Sequence, residues 1–231
     1  KVKHIRYKLG RGSTKGVHPL ATEVEAKVIR AEACAAACNH LKEQGFVPDL
    51  IYGHPGWGEL MFIKTVYPDV PLVCFQEYFY NEEGYDAGFD MEFAEERGWH
   101  KKSSLIMKNA YLLVTMQECD WNVSPTHFQA ETYPDKWKHR FSVIHDGVNT
   151  DIAKPSKEKL FIELSDGTRL TKDNKVVTFI NRRLEPYRGF HTFIRSIPHI
   201  QKQNPGTHIV IIGAQTGTSY GAKCPKGEWK D

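Results

Sequence analysis

Short apolar runs alternate with helical patterns along most of the chain. Residues 22–44 carry apolar side chains at helical spacing, and Gly45 marks the end of this pattern. Brief apolar runs at residues 49–52, 71–75 and 121–125 lead through loops to further helical patterns. Strands that alternate with helices predict right-handed βαβ units and parallel sheets. The chain is therefore predicted to be an α/β protein.

The second half of the chain begins with a charged segment. Residues 156–174 carry an Asp-Gly turn between short alternating runs, which predicts a linker with a hairpin. Apolar runs at residues 176–180 and 208–212 show no polar alternation, as expected for strands buried on both faces of a parallel sheet. These patterns predict a first domain at residues 1–155 and an incomplete second domain at residues 175–231.

The beginning of the sequence also carries information. Residues 1–9 alternate like a strand and precede a loop rich in glycine and basic residues at positions 10–19. The chain opens with Lys1, and its first methionine is Met61. We therefore expect an interior piece of a longer protein, whose first domain lacks its first strand.

Arginines follow the first apolar run of the second domain. Arg182 and Arg183 begin the predicted loop, and Arg188 and Gly189 precede a predicted helix. In an open α/β sheet, ligands bind beyond the carboxyl ends of the strands, where the next helix adds the positive end of its dipole. The three guanidinium groups are predicted to bind an anion, and a diphosphate held by two of them would gain charge-assisted hydrogen bonds worth about 1.5–3 kcal/mol each. The alternative is an ordinary solvated surface.

Polar residues also follow two strands of the first domain. His54, Trp57 and Glu59 come after one apolar run, and Gln76 and Glu77 come after the next. Because the carboxyl ends of parallel strands lie at one edge of a sheet, these five side chains are predicted to converge. The alternative for the histidine is a purely structural role.

Two further loops are candidates for binding. Residues 78–90 are aromatic and acidic, which suits sugar hydroxyls and C–H faces, although a self-packed surface loop is the alternative. In the loop at residues 145–149, Gly147 would let the backbone approach a ligand closely, with a simple turn as the alternative. Gly213 ends the last apolar run of the second domain.

Composition narrows the function classes. The chain is 40% hydrophobic and 26% charged, and a formal charge of +3 gives no reason to expect a nucleic-acid partner. No apolar run is long enough to cross a bilayer, and five scattered cysteines favour a reducing, cytoplasmic location. Cys34 and Cys38 lie one helical turn apart, but no recognisable ligand set includes them, so packing is favoured over a metal site. The absence of HExxH, GxSxG, P-loop and GxGxxG motifs disfavours zinc and serine hydrolases, ATPases and NAD-dependent enzymes.

Three segments in order resemble retaining glycosyltransferases of family 4. Residues 175–189 are similar to the donor-diphosphate loop of that family, and residues 54–80 and 141–151 resemble its first-domain and interdomain motifs. The resemblance implies the GT-B architecture, with two Rossmann-like domains on parallel sheets, of which the second is incomplete here. It also implies a hexosyltransferase-like enzyme that uses a nucleotide-diphosphate sugar, with no cofactor and no essential metal.

The resemblance further implies roles for individual residues. Arg182 or Arg183, which both fit the spacing, would neutralise the leaving diphosphate together with Arg188. The glycines assigned to the same donor site are Gly147, Gly189 and Gly213. Many relatives carry a histidine near the position that Gln76 occupies here. Gln76, Glu77 and His54 are therefore candidate contacts of the sugar or the acceptor.

The expected partners are a nucleotide-diphosphate sugar and a carbohydrate or lipid-linked acceptor, with peripheral membrane contact left open. The alternative function is a non-catalytic nucleotide- or sugar-binding module on the same scaffold. In the family, the second domain supplies a spaced pair of glutamates that hold the donor, whereas Glu228 is the only glutamate after Gly213 here. The 231-residue chain is therefore predicted not to catalyse transfer alone.

Overall fold

The computed structural model describes residues 2–85, 88, 90–93, 98–156, 160–217, 219–221 and 224–230. The chain divides into two compact units, Lys1–Gly147 and Val148–Asp231. Among the described residues, no helix is both long enough and apolar enough to span a membrane.

The first unit is built around four parallel strands in the order β1-β2-β3-β4. The strands are β1 (Ile51–Gly53), β2 (Leu72–Phe75), β3 (Trp121–Ser124) and β4 (Phe141–Val143). The helices are α1 (Thr22–Glu43), α2 (Ile63–Val66), α3 (Trp99–Glu118), α4 (His127–Glu131) and α5 (Asp135–Lys138). Short 3-10 turns at Pro55–Trp57 and Glu59–Phe62 connect β1 to α2. The predicted α/β class with a parallel sheet is confirmed.

The core of this unit lies between the sheet and its long helices. Leu72 and Cys74 are fully buried and, being two positions apart, face the same side of β2. Cys34 and Cys38 of α1 pack against this cluster, in agreement with the packing role expected for them. Burying a leucine of this kind stabilises the fold by about 1.5–3 kcal/mol.

Helix α1 makes an unusually close approach to the loop that follows β1. Gly58 has a φ of +99°, and a Cβ atom at this position would lie 2.5 Å from the carbonyl oxygen of Lys27. Only glycine adopts this backbone conformation without strain and leaves room for the helix. Gly58 therefore fixes the position of α1 against the end of the sheet.

The second unit contains two small sheets and one described helix. Its elements are β5 (Ile162–Glu163), β6 (Arg169–Leu170), β7 (Val176–Arg183), α6 (Phe190–Gln203) and β8 (His208–Ala214). The antiparallel pair β5-β6 turns at Gly167, which has a φ of +83°, so the predicted hairpin is confirmed. β7 and β8 pair in parallel, with an irregularity between Ile180 and Arg183.

The prediction that β7 and β8 are buried on both faces is wrong. On one face, Phe179 packs against Phe190 and Phe193 of α6, with ring centroids 5.6 and 4.9 Å apart. On β7 and β8, Ile180 remains 66% exposed and Ile212 remains 48% exposed. In the described part of this unit, α6 is the only helix of more than a single turn, so it covers just one face of the sheet.

The strand predicted at residues 1–9 is also wrong. Residues 2–9 belong to no sheet of the described chain, and Val2 is 99% exposed. The segment is attached to the first unit by a side chain, since the hydroxyl of Tyr7 donates to Oε1 of Glu59 over 2.7 Å. Alternation alone does not supply the neighbouring strand that a ladder requires.

Replacing Gly58 with Ala should destabilise the first unit more than the same change at Gly45. Gly45 also has a positive φ, +86°, but open space surrounds it. The positive φ costs about 1–2 kcal/mol for a residue with a Cβ atom. At Gly58 the clash with Lys27 adds to this cost, so the free energy of unfolding should fall by about 3 kcal/mol or more. Urea denaturation of both variants measures the difference, and equal losses would contradict the close approach.

Candidate functional site

His54 is held by the turn that follows β1. The backbone N–H of Gly56 donates to Nδ1 of His54 over 2.9 Å, which caps the 3-10 turn Pro55–Trp57. A Cβ atom at Gly56 would lie 2.4 Å from Cε1 of the imidazole, so the turn closes this tightly only with glycine. The ring of Phe75 packs near the imidazole, with the two ring centroids 5.9 Å apart. The imidazole is therefore oriented before any ligand binds.

His54 and Glu77 meet at the carboxyl edge of the sheet. Nε2 of His54 lies 3.1 Å from Oε2 of Glu77, so the predicted proximity of these two side chains is confirmed. Because Nδ1 accepts the Gly56 N–H, neutral His54 carries its proton on Nε2 and donates it to the carboxylate. The imidazole is 35% exposed and the carboxylate 63% exposed, so both reach solvent.

This arrangement assigns different chemical capacities to the two side chains. The carboxylate of Glu77 keeps acceptor positions that a sugar hydroxyl can use, whereas the imidazole of His54 is engaged through both nitrogens. Glu77 is therefore the stronger candidate for accepting a hydrogen bond or a proton from a ligand. His54 orients that carboxylate.

The convergence does not extend to the side chain of Gln76, which is completely buried. Its Nε2 donates to Oδ1 of Asn122 over 2.8 Å, and its Oε1 accepts from the hydroxyl of Tyr133 over 3.1 Å. Its backbone carbonyl accepts from the hydroxyl of Ser124 over 2.9 Å. Gln76 therefore fixes the end of β2 through buried hydrogen bonds and presents no surface to a ligand in this structure. This differs from the ligand contact that was predicted for Gln76.

The supporting residues Asn122 and Tyr133 were not predicted from the sequence. Both are fully or almost fully buried, and burial raises the pKa of Tyr133 well above its ordinary value, so its hydroxyl stays a donor. A polar residue within the short strand β3 was a signal that could have identified Asn122. Tyr133 carries no comparable signal.

Trp57 and Glu59, the other two residues expected at this edge, lie on the same loop as His54. The indole of Trp57 is 60% exposed. Glu59 accepts a hydrogen bond from the hydroxyl of Tyr7, whose pKa is raised to about 12 by burial and by this carboxylate. Glu59 is thus engaged with the N-terminal segment.

The arginines of the second unit differ in their surroundings. Arg182 and Arg183 belong to the end of β7, and not to the loop predicted for them. Arg183 donates through Nη1 to the carbonyl of Thr216. Arg182 is exposed, and its guanidinium has no hydrogen bond or ion pair within the described part of the chain.

Arg188 is held by a buried carboxylate that the sequence analysis did not identify. Its Nε lies 3.0 Å from Oε1 of Glu185, whose side chain is 0% exposed, and its Nη1 lies 3.4 Å from Oδ1 of Asn181. Oε2 of Glu185 accepts the backbone N–H of Ser219 over 2.6 Å and the more distant N–H of Tyr220. The spacing of three residues between Glu185 and Arg188 was the available sequence signal.

The predicted glycines have distinct structural roles. Gly189 has a φ of +75° and precedes the first residue of α6. A Cβ atom at Gly213 would lie 2.8 Å from the carbonyl oxygen of Asn181, so this residue lets β8 approach β7 closely. Gly147, in the first unit, has a φ of +80° and donates its N–H to Nδ1 of His145. Residues 78–85, 88 and 90 of the aromatic loop are described, whereas Asp86, Ala87 and Phe89 lie outside the described residues.

Comparison with known proteins defines the class. A family model described as the glycosyl transferase family 4 group matches residues 1–153. A search of curated proteins gives no significant match. The match covers more than half of the sequence and, together with the parallel α/β fold of the first unit, defines a glycosyltransferase. The chain belongs to the glycosyl transferase family 4 group.

Replacing Arg188 with Ala should destabilise the second unit, because it leaves the buried carboxylate of Glu185 without its cation. We expect a loss of about 3 kcal/mol or more from the free energy of unfolding. The matched control is Arg182→Ala, which removes an exposed guanidinium and should change stability by less than about 0.5 kcal/mol. Hydrogen exchange of the β7 and β8 amides measures both effects, and equal stability of the two variants would contradict the ion pair.

Proposed function

We propose that this protein moves a sugar from a nucleotide-diphosphate sugar to a hydroxyl group of an acceptor, with retention of configuration. The observation that carries the proposal is the His54–Glu77 pair at the carboxyl edge of a parallel sheet, within a unit that the family model matches. Ligands of open α/β sheets bind at this edge. The family membership supports glycosyl transfer in general, and the exposed pair supports the proposal that the acceptor binds beside Glu77.

On the acceptor side, Glu77 takes the hydroxyl group. The carboxylate is exposed and is oriented by the Nε2–H of His54, so a sugar hydroxyl can donate to its free oxygen positions. Such a contact positions the attacking oxygen and increases its electron density as the new bond forms. The aromatic rings of Tyr78 and Tyr80, 5.6 Å apart on the loop after β2, add surfaces suited to sugar C–H faces.

On the donor side, the arginines of the second unit bind the diphosphate. Arg182 is exposed and its guanidinium has no partner among the described residues, so this group is available to an anion. Arg188 is held in place by Glu185 and keeps further N–H groups that can donate. Cations placed in advance stabilise the negative charge that grows on the leaving diphosphate, a task that metal ions perform in other enzymes. We propose a reaction without an essential metal on this basis.

The state of the cysteines supports a proposal for the compartment. The cysteines at 34, 38, 74, 119 and 224 are free, which favours a reducing environment, and we propose that the reaction takes place in the cytoplasm.

Release of a nucleoside diphosphate from a panel of nucleotide sugars tests the proposed function. Turnover in the presence of acceptor supports a transferase, whereas binding without release would support the non-catalytic module instead. We also propose that the 231-residue chain needs further segments for turnover, so a longer form with a complete second domain is assayed beside it. Equal turnover by both forms would contradict that part of the proposal.

Replacing Glu77 with Gln should lower kcat/KM by about a hundredfold in whichever of the two forms shows turnover. The reason is that an amide cannot accept the proton of the acceptor hydroxyl as a carboxylate can. The matched control is Glu118→Gln, an exposed carboxylate at the end of α3 and outside the candidate binding loops, which should leave kcat/KM unchanged. Steady-state kinetics with saturating donor measures both variants. A loss smaller than threefold for Glu77→Gln would remove this residue from the site.

A further inference from the structure

Lys27 of α1 is a buried cation without an anionic partner. The residue is 8% exposed, and its ammonium group forms no hydrogen bond or ion pair with any described residue. It lies 4.8 Å from the centroid of the Trp57 ring and 5.1 Å from that of Tyr111. Burial lowers the pKa of this amine, since the charged form loses hydration. Contacts with aromatic faces offset part of that cost and leave the positive charge unneutralised.

Two further cations lie in the same region. The guanidinium of Arg30 is 5.7 Å from the Trp57 ring, and the ammonium of Lys108 is 3.7 Å from the Tyr80 ring. Neither forms an ion pair within the described chain. We call the set of six residues the basic aromatic cluster. Its members are Lys27, Arg30, Trp57, Tyr80, Lys108 and Tyr111.

The carboxylates nearest to Lys27 compensate its charge only from a distance. Glu23 and Glu59 influence Lys27 through their charge but make no ion pair with it. Glu59 already accepts the hydroxyl of Tyr7. Arg30 and Lys108 both act on Lys27 with like charge. Lys27 thus lies near two aromatic rings and is repelled by two like charges, an arrangement that a bound anion would stabilise.

The cluster shares its two loops with the His54–Glu77 pair. The loop after β1 carries both His54 and Trp57, and the loop after β2 carries both Glu77 and Tyr80. The second loop is fixed by Asn109, which accepts the backbone N–H of Tyr80 over 2.9 Å and donates to its carbonyl over 2.6 Å. The cluster therefore lies at the same edge of the same sheet as the pair.

We propose that the basic aromatic cluster binds the phosphate group of a phosphorylated sugar acceptor, whose hydroxyl is taken by Glu77. This inference rests on the proposed function and names the acceptor class. The exposed face of Trp57 packs on the sugar ring, and the cations of Lys27, Arg30 and Lys108 bind the phosphate oxygens. A phosphate monoester carries a charge of about −1.5 to −2 at neutral pH, which matches three cations better than a carboxylate does.

The test is calorimetric titration of the 231-residue chain at low salt with glucose 6-phosphate, inorganic phosphate, glucuronate and glucose. We expect glucose 6-phosphate and inorganic phosphate to compete for one site. Glucuronate and glucose should bind at least about tenfold more weakly than glucose 6-phosphate. Equal binding of glucuronate, or no binding of either phosphate, would overturn the proposal.

Lys27→Met and Lys108→Met should each weaken binding of glucose 6-phosphate by at least about tenfold. Lys108 is only half-buried, so its variant keeps the test valid if Lys27→Met fails to fold. The matched control is Lys15→Met, which removes an exposed lysine and should leave the affinity unchanged. Unchanged affinity in a folded Lys27→Met or Lys108→Met variant would contradict the proposed site.

Two readouts separate this inference from the proposed function. Glu77→Gln should abolish most transfer and leave binding of inorganic phosphate unchanged. Phosphate binding can therefore be measured independently of transfer, and it would still be observed if the transfer proposal were wrong. Lys108→Met should leave the affinity for a nucleoside diphosphate unchanged. If it weakens binding of that nucleotide by tenfold instead, the cluster belongs to the donor and the acceptor proposal is overturned.

Discussion

The lateral pairing of β1 with β2 determines where the candidate residues of the first unit lie. Gly53 is aligned with Cys74 in the parallel register, so the two strands leave the sheet side by side. The loops that follow them are therefore neighbours, although His54 and Glu77 are 23 positions apart. Without this register the imidazole and the carboxylate would have no reason to meet.

A buried polar network supports the exposed pair. Gln76 precedes Glu77 directly, and its amide is held by Asn122 from β3 and by Tyr133 after α4. Fully satisfied networks of this kind are rigid, because each lost hydrogen bond would leave a buried polar atom unpaired. The backbone that carries Glu77 is therefore held in place by the hydrogen bonds of its neighbour Gln76. The second unit uses the same principle, with buried Glu185 holding the guanidinium of Arg188.

Local patterns predicted the elements of the fold well. The helical spacing of α1 and the apolar runs of β2, β3 and β8 were correct because each arises from residues close in sequence. The strand expected at residues 1–9 failed because pairing requires a partner from elsewhere. The expected burial of β7 on both faces failed because apolar composition does not reveal how many helices cover a sheet.

The site was predicted only in part, for a related reason. The proximity of His54 and Glu77 followed from the parallel sheet alone. The burial of Gln76 did not, since its partners Asn122 and Tyr133 stand 46 and 57 positions away. The cations of α1 and α3 in the basic aromatic cluster were likewise not found by motif analysis, because Lys27 and Lys108 approach each other only in the folded unit.

The most direct measurement is the tautomer of His54, read from long-range ¹H–¹⁵N correlations of the imidazole in its neutral form. We expect a proton on Nε2 and none on Nδ1, because Gly56 donates to Nδ1 and Glu77 accepts from Nε2. We also expect the Nε2 resonance to move when glucose 6-phosphate is added. A proton on Nδ1, or an Nε2 resonance that stays unchanged at saturation, would contradict an acceptor site built on this pair.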